Sequence, residues 1–435
     1  MSTAENWIKQ VPAPRTLTGD DQWSVFLSYR SADKAWVSNL YDVLRHYGHE
    51  VLLDQVALIE GDQFHERREG AIAASQAGVL VCCTKDCNSK NVVSLHQVME
   101  ATASLRTDFK FVSVLVDAGD LSGFISARTF LDFSSHPYGP NGGELLRLLH
   151  AVVGQPLSDE AARIALDFDA LSESAANQIG TAILDGSTER LNSLFAERGA
   201  PWRVAAVLSC RTAEGLTQLG AYDDAVAMLL DIEKEFPRAI RPKQLHALAL
   251  LRSARSGGSQ KNLTDAQQIV AALYESGQKD PETLGIYAST WMERYERSGK
   301  VSDLQQSRDL YLEAFAIARD DYYTGINAAA KSVFLDEVEH AAQLALEVQK
   351  IVGTGPRPGD YWMTATVAEA WLIQKNYVEA ARNYEAAVAI ARSQTGSHES
   401  TWKQACRLMA RLEPDAVERG LVRKAFENLP DCDQL

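Results

Sequence analysis

Residues 23–36 read W-S-V-F-L-S-Y-R-S-A-D-K-A-W. Trp23, Val25 and Leu27 alternate with Ser24 and Phe26, yet the run is apolar almost throughout. That is the pattern of a strand buried on both faces of a parallel sheet. Ser28, Tyr29, Arg30 and Ser31 form a polar turn. From Ala32 a helical period sets in, with Trp36, Val37, Leu40, Leu44 and Tyr47 on one face. Strand, short polar loop and helix make the first half of a βαβ unit. In open α/β sheets the loops at the carboxyl ends of the strands line the ligand crevice, so Ser28 to Asp33 stand where this architecture puts its chemistry.

The same alternation continues outward from this stretch to about Gly154. Glu50 to Asp54 reads as a second strand, followed by a loop over 55–62 in which Gly61 supplies a turn. Phe64 to Gln76 reads as a helix, Gly78 to Thr84 as a third strand, Val92 to Leu105 as a helix, and Phe109 to Asp117 as a fourth strand. A short fifth strand spans Thr129 to Ser134, and Gly142-Gly143 opens a last helix. Five strands with intervening helices in roughly 130 residues indicate a doubly wound parallel sheet.

The full chain of 435 residues is too long for one ordinary core, so two or three domains are expected. Met1 to Gln22 is polar, carries Pro12 and Pro14, and reads as a loose leader without the apolar core of a secretory signal. No stretch approaches a membrane span. A formal charge of −15 argues against nucleic acid as the main partner, because phosphate binding needs a basic surface. The six cysteines fit no zinc pattern, and buried thiols in a reducing cytoplasm are the expected state.

V-F-L-S-Y-R-S-A-D, H-E-V-L-L-D-Q with E-G-D-Q-F, A-G-V-L-V, F-V-S-V-L-V-D and F-L-D-F resemble, in order and in spacing, the Toll/interleukin-1 receptor (TIR) domain family. The resemblance covers residues 23–154. It implies a flavodoxin-like α/β fold with a five-stranded parallel sheet, and self-association with other TIR domains. In many bacterial, plant and axonal members it also implies cleavage of the nicotinamide–ribose bond of NAD. Cleavage builds positive charge on the ribose, so a carboxylate must sit close to it, as in glycosidases. In the NAD-cleaving relatives this is a Glu on the helix after the third strand, beyond a Trp.

Here the matching stretch runs from Ser89 to Glu100. Aligned without gaps, Asn91 occupies the Trp position and Leu95 the Glu position; a slip of two residues puts Gln97 there instead. Neither Leu nor Gln carries the charge. Glu100, five residues beyond Leu95, points about 140° away on a helix. Glu100 and Glu60 are the fallback acids, Asp62 is a further acid in the second-strand loop, and Ala57 stands where some relatives carry a Lys. The resemblance gives Tyr29, Arg30 and Asp54 as candidate cofactor contacts. Arg30 and Tyr29 suit phosphate, ribose or base through bidentate hydrogen bonds and stacking, and equally suit a polar turn at an assembly contact. Asp54 suits a structural acid that accepts backbone hydrogen bonds. His96 reads as an exposed helical histidine. No cofactor is required on this reading, and NAD is kept open as ligand or substrate.

Beyond Gly154 the texture changes. Residues 155–200 read as a helical connector, with apolar positions from Ile164 to Leu194 and no strand signal. From 201 to 435 the sequence repeats. Gly220-Ala221-Tyr222-Asp223-Asp224-Ala225 and Asn376-Tyr377-Val378-Glu379-Ala380 resemble the second half of a tetratricopeptide (TPR) repeat, and weaker copies centre on Ala266, Ser307 and Ala341. The small residues are spaced 41, 41, 34 and 39 apart, as in degenerate repeats with lengthened loops. Asp321 to Ala329 resembles a stretch of the central regulatory region of the apoptosis signal-regulating kinases, with Asn327 expected in a helix–helix hydrogen bond. An all-α TPR-like solenoid of this kind presents a surface to a protein or peptide partner.

The layout therefore suggests a TIR-domain signalling and assembly protein, in bacterial defence or stress signalling, with the solenoid as sensor and a degenerate NAD site. The alternative is an NAD glycohydrolase regulated by the solenoid. A cytoplasmic location without membrane or nucleic-acid partners is expected.

Overall fold

The computed structural model describes residues 3–29, 33–54, 63–83, 90–117, 130–391 and 395–432. The chain forms two compact units, Met1–Leu273 and Tyr274–Leu435.

In the first unit, β1 (Trp23–Ser28), β2 (Val51–Leu53), β3 (Ser75–Cys82), β4 (Lys110–Leu115) and β5 (Leu131–Asp132) form one sheet in the order β2-β1-β3-β4-β5. Every pairing is parallel, with Phe26 opposite both Leu52 and Gly78. Helices α2 (Lys34–His46), α3 (Gln63–Ala73), α4 (Lys90–Leu105) and α5 (Gly142–Val153) cover it. Val25, Leu27, Val79, Val81 and Val114 form one core with α2 and α5, while Phe26, Leu80 and Cys82 form another with α3 and α4. Both faces of β1 are buried, as its unbroken apolar run requires. The strand after α3 starts at Ser75 rather than Gly78, so Gln76 belongs to the sheet and not to the helix.

Residues 3–22 are not a loose leader. Helix α1 (Thr3–Lys9) buries Trp7 completely, with its ring 5.9 Å from Tyr47 and 5.7 Å from Phe168. Arg15 then donates to the carbonyls of Asp108 and Gln76, each at 2.7 Å. A polar composition concealed this tie, because a single large aromatic such as Trp7 can anchor an otherwise polar segment.

Helices α6 (Asp159–Leu184), α7 (Thr188–Ala196), α8 (Val207–Gln218), α9 (Tyr222–Glu235), α10 (Arg241–Arg255) and α11 (Gln260–Glu275) follow. The segment read as a connector is part of the array: Ala176, Ile179 and Ala182 of α6 share a core with α7, α8 and α9. The opposite end of α6 joins the α/β core through Ala161, Ala165 and Phe168. The break between compact units accordingly falls at Leu273, not at Gly154 or Ala200.

The second unit contains α12 (Pro281–Ser298), α13 (Val301–Ile317), α14 (Tyr322–Phe334), α15 (Val338–Val352), α16 (Tyr361–Ile373), α17 (Tyr377–Ile390), α18 (Thr395–Leu412) and α19 (Ala416–Lys424). The small residues of the repeat pattern fall on the second helix of successive hairpins. Ala225, Ala266, Ser307, Ala341 and Ala380 are all completely buried, as close crossing of the two backbones demands. Ser307 Oγ also donates to the Ala288 carbonyl at 2.8 Å. Ser307→Ala keeps the small volume and loses only this bond, so chemical denaturation of the full chain should show a cost of about 1 kcal/mol.

Cys406 and Cys432 form a disulfide, which corrects the expectation of thiols throughout. The pair closes 26 residues around α18 and α19, where Trp402 Nε1 donates to the Pro430 carbonyl at 2.8 Å and Trp402 stacks on Phe426. The spacing gave no hint because the chain returns to α18 only after α19. Among the described residues no helix is long and apolar enough to cross a membrane.

Candidate functional site

In the order β2-β1-β3-β4-β5 the strand sequence reverses between β1 and β3, and in open α/β sheets the carboxyl ends of the strands at that point line the ligand crevice. Asp54 follows β2, and its backbone N–H extends the ladder to the Leu27 carbonyl at 2.8 Å. Its side chain is fully buried. Ser28 Oγ donates to Asp54 Oδ2 at 2.8 Å, and Arg68 Nε donates to Oδ1 at 2.9 Å. Both oxygens thus brace the end of β1 against α3. Asp54 accepts from two side-chain donors. Tyr29 is half-buried beside the β1 core. Arg30, Ala57, Glu60 and Asp62 lie outside the described residues, as do Ser89 and the side chain of Asn91.

Helix α4 carries Leu95 and Gln97, the two positions that the sequence sets against the acid of the NAD-cleaving family members. Leu95 is 7% exposed and packs among Phe26, Ile72, Leu80, Val92, Met99 and Phe109. A carboxylate at 95 would be desolvated inside this apolar layer. Gln97 is exposed. Glu100 has a side chain 38% exposed, and its Oε2 lies 3.7 Å from His96 Nδ1. His96 itself is not an exposed histidine: it is 2% exposed and stands edge-on to Phe111 at 5.1 Å. Its position between exposed Gln97 and buried Leu95 hid this, since helical phase at the rim of a stripe is ambiguous.

Residues 25–148 match the family model of the TIR domain. This part of the chain is a TIR domain. Residues 221–333 match a second family model, tetratricopeptide repeats of the sensor type. No curated protein matches the chain. Among solved structures, a thermophilic TPR protein of Thermus thermophilus is 15% identical, covering 45% of this chain and 96% of its own at a TM-score of 0.37. The TPR protein YrrB, described as having an unusual peptide-binding site, is 9% identical over 50% of this chain and 100% of its own, with a TM-score of 0.28. The C-terminal part of a TPR repeat-containing protein from Cytophaga hutchinsonii is 13% identical over 60% and 100%, with a TM-score of 0.32.

Two polar arrangements that sequence patterning did not reveal connect to these modules. The first joins the TIR domain to its own repeats. Asp42 on α2 accepts from the backbone N–H groups of Ile240 and Arg241 at 2.8 and 2.7 Å. Burial pushes its carboxyl up to about 7, against the two N–H groups and the charges of Arg45 and Arg241, which act the other way. Nearby, Tyr47 Oη donates to the Val204 carbonyl at 2.8 Å, and the His46 ring lies 5.2 Å from Phe236. The only local signal for this joint is the polar set Asn39, Asp42 and His46 along α2, which reads as an ordinary solvated stripe.

The second arrangement lies inside the second unit. Lys331, 5% exposed, donates to Asn327 Oδ1 at 2.7 Å and stands over the Tyr311 ring. Asn327 donates to Tyr323 O of its own helix at 2.9 Å, so its bonds run along α14 and not between helices. Glu369 on α16 accepts from Gln404 on α18 at 2.9 Å, and burial raises its carboxyl while the Lys331 charge opposes the shift. Salt bridges Arg407–Glu296 at 2.7 Å and Arg411–Asp336 at 3.6 Å bring α18 to the ends of α12 and α14.

Proposed function

We propose that this chain is a signalling and assembly protein of bacterial defence or stress response. Its TIR domain associates with other TIR domains, and its sensor repeats receive a protein or peptide and control that association. The combination of a TIR domain with sensor-type repeats supports the reading, since both are interaction modules. The observation that carries it is the burial of Leu95, the residue that a gapless alignment sets at the ribose-facing acid, with Glu100 beside His96. NAD is then at most a ligand, and action in the cytoplasm is part of the proposal.

The test is nicotinamide release from NAD by the purified full chain, at low and at high protein concentration, with molecular mass followed in parallel. No release above the protein-free rate is expected, together with oligomers that grow with concentration. Release abolished by Glu100→Gln or Glu60→Gln would overturn the assembly reading and identify the acid of an NAD glycohydrolase.

A further inference from the structure

Helix α10 begins without a cap of its own. Its N-cap residue is Ile240, which has no side-chain oxygen to offer, and Pro242 follows within the first turn. The first N–H groups of a helix have no partner inside it, and burying them unsatisfied is costly. Ser, Thr, Asp or Asn at the N-cap normally removes that cost. In this chain the cap comes from the TIR domain, 198 residues away: Asp42 takes one N–H on each carboxylate oxygen. Arg241, whose N–H is one of the two, is 7% exposed and donates through Nη2 to Glu214 on α8 at 2.6 Å. Tyr47 reaches the Val204 carbonyl, and Arg45 donates to the Arg238 carbonyl at 3.4 Å. Val43 and His46 of α2 close a crevice with Ala205, Val207, Phe236 and Ala239.

These contacts share a property. The groups of the α9–α10 turn that hydrogen-bond to α2 are backbone atoms, the N–H groups of Ile240 and Arg241 and the carbonyl of Arg238, so these bonds sense where the turn lies rather than which side chains it carries. If the turn moves away from α2, the start of α10 and the buried Asp42 lose their partners together.

We propose that Asp42 is the latch of an intramolecular switch, by which the first repeats hold helix α2 of the TIR domain and release it when the α9–α10 turn is displaced. That release controls assembly rests on the function proposed above; the latch itself does not. Amide hydrogen exchange on the full chain tests the latch, comparing wild type, Asp42→Ala and Tyr47→Phe. In Asp42→Ala, exchange at Ile240 and Arg241 should rise at least tenfold, with a parallel rise over 34–47. The strands of the sheet and residues 281–432 should keep their wild-type rates. Tyr47→Phe, which removes one bond of the same joint and leaves the cap itself in place, should give a several-fold rise at the same places. Unchanged exchange at 240–241 in Tyr47→Phe, or a rise spread evenly over the sheet in that variant, overturns the latch even where Asp42→Ala does not fold. Mass measurements separate the two proposals: selective opening with unaltered self-association keeps the latch and refutes control of assembly.

Discussion

Gly143→Ala should destabilise the first unit by about 3 kcal/mol or more, near the upper end of what overpacking a well-fitted contact costs. A methyl group at 143 would lie 2.3 Å from the Ala165 carbonyl oxygen and 2.6 Å from its carbon, both backbone atoms of α6. It would also lie 2.6 Å from Asp169 Oδ2, which is a movable side-chain atom. Rotating Asp169 aside cannot rescue the variant, because it leaves the carbonyl in place. It also gives up the cap that Asp169 Oδ1 supplies to Gly143 N–H at 2.5 Å. Helices α5 and α6 must therefore separate along the junction at which the TIR domain hands over to the repeats. Denaturant unfolding followed by far-ultraviolet circular dichroism reads the loss. Gly285→Ala on α12 is the control: its methyl meets nothing closer than 3.8 Å, and removing a helical glycine should leave stability unchanged or raised by up to about 1 kcal/mol. A comparable loss in both variants would show that helix propensity, and not the close approach, sets the effect.

The glycine pair illustrates where sequence reading succeeds and where it stops. Gly142-Gly143 marks the start of a helix in the sequence, and α5 does start there. The two have separate demands: Gly142 adopts a φ of +72°, and the backbone contact at Gly143 comes from α6, more than 20 residues on. The same division holds across the chain. The β1 run, the strand sequence and the small residues at 225, 266, 307, 341 and 380 are local periodicities, and periodicity is imposed by the element itself. Trp7 against Phe168, Asp42 on α10 and Cys406 with Cys432 leave no period, because each depends on how distant elements meet. For the crevice, the sequence places Leu95 on the helix after the third strand. Its inward packing, and the bracing of Asp54 by Ser28 and Arg68, required the sheet to be assembled.

Asp42 also makes the stability of the first unit depend on pH in a direction opposite to that of most carboxylates. Paired acids usually sit below their unfolded value and lose their contribution as pH falls. Asp42 starts from an ordinary 3.8 and is pushed up to about 7 by burial, so the folded chain holds its proton more tightly than the unfolded chain. Its contribution is fully present below pH ~4, is lost as pH rises through about 7, and is flat above that. Roughly three units at about 1.4 kcal/mol each set an upper range of about 4 kcal/mol. Arg45 on its own helix and Arg241 on α10 pull the other way, as do the two N–H groups it caps. Cys210 and Glu214 on α8 face the same buried region, where burial raises the Cys210 thiol and the Glu214 charge adds to the rise. His46, also on α2, is lowered by burial and by Arg238, so it loses stability toward acid and partly masks Asp42 in the wild type alone. The difference between wild type and Asp42→Asn cancels His46. The amide introduced at position 42 accepts one N–H through its oxygen but turns its own NH2 toward the other, which is a constant cost independent of pH. Unfolding free energies from pH 4 to 8 should therefore show the wild-type advantage over Asp42→Asn shrinking by a few kcal/mol, with most of the change between pH ~4.5 and ~7. A difference that stays level over this range would mean that the helix start holds Asp42 as an anion throughout, with its affinity for the proton unaltered by burial.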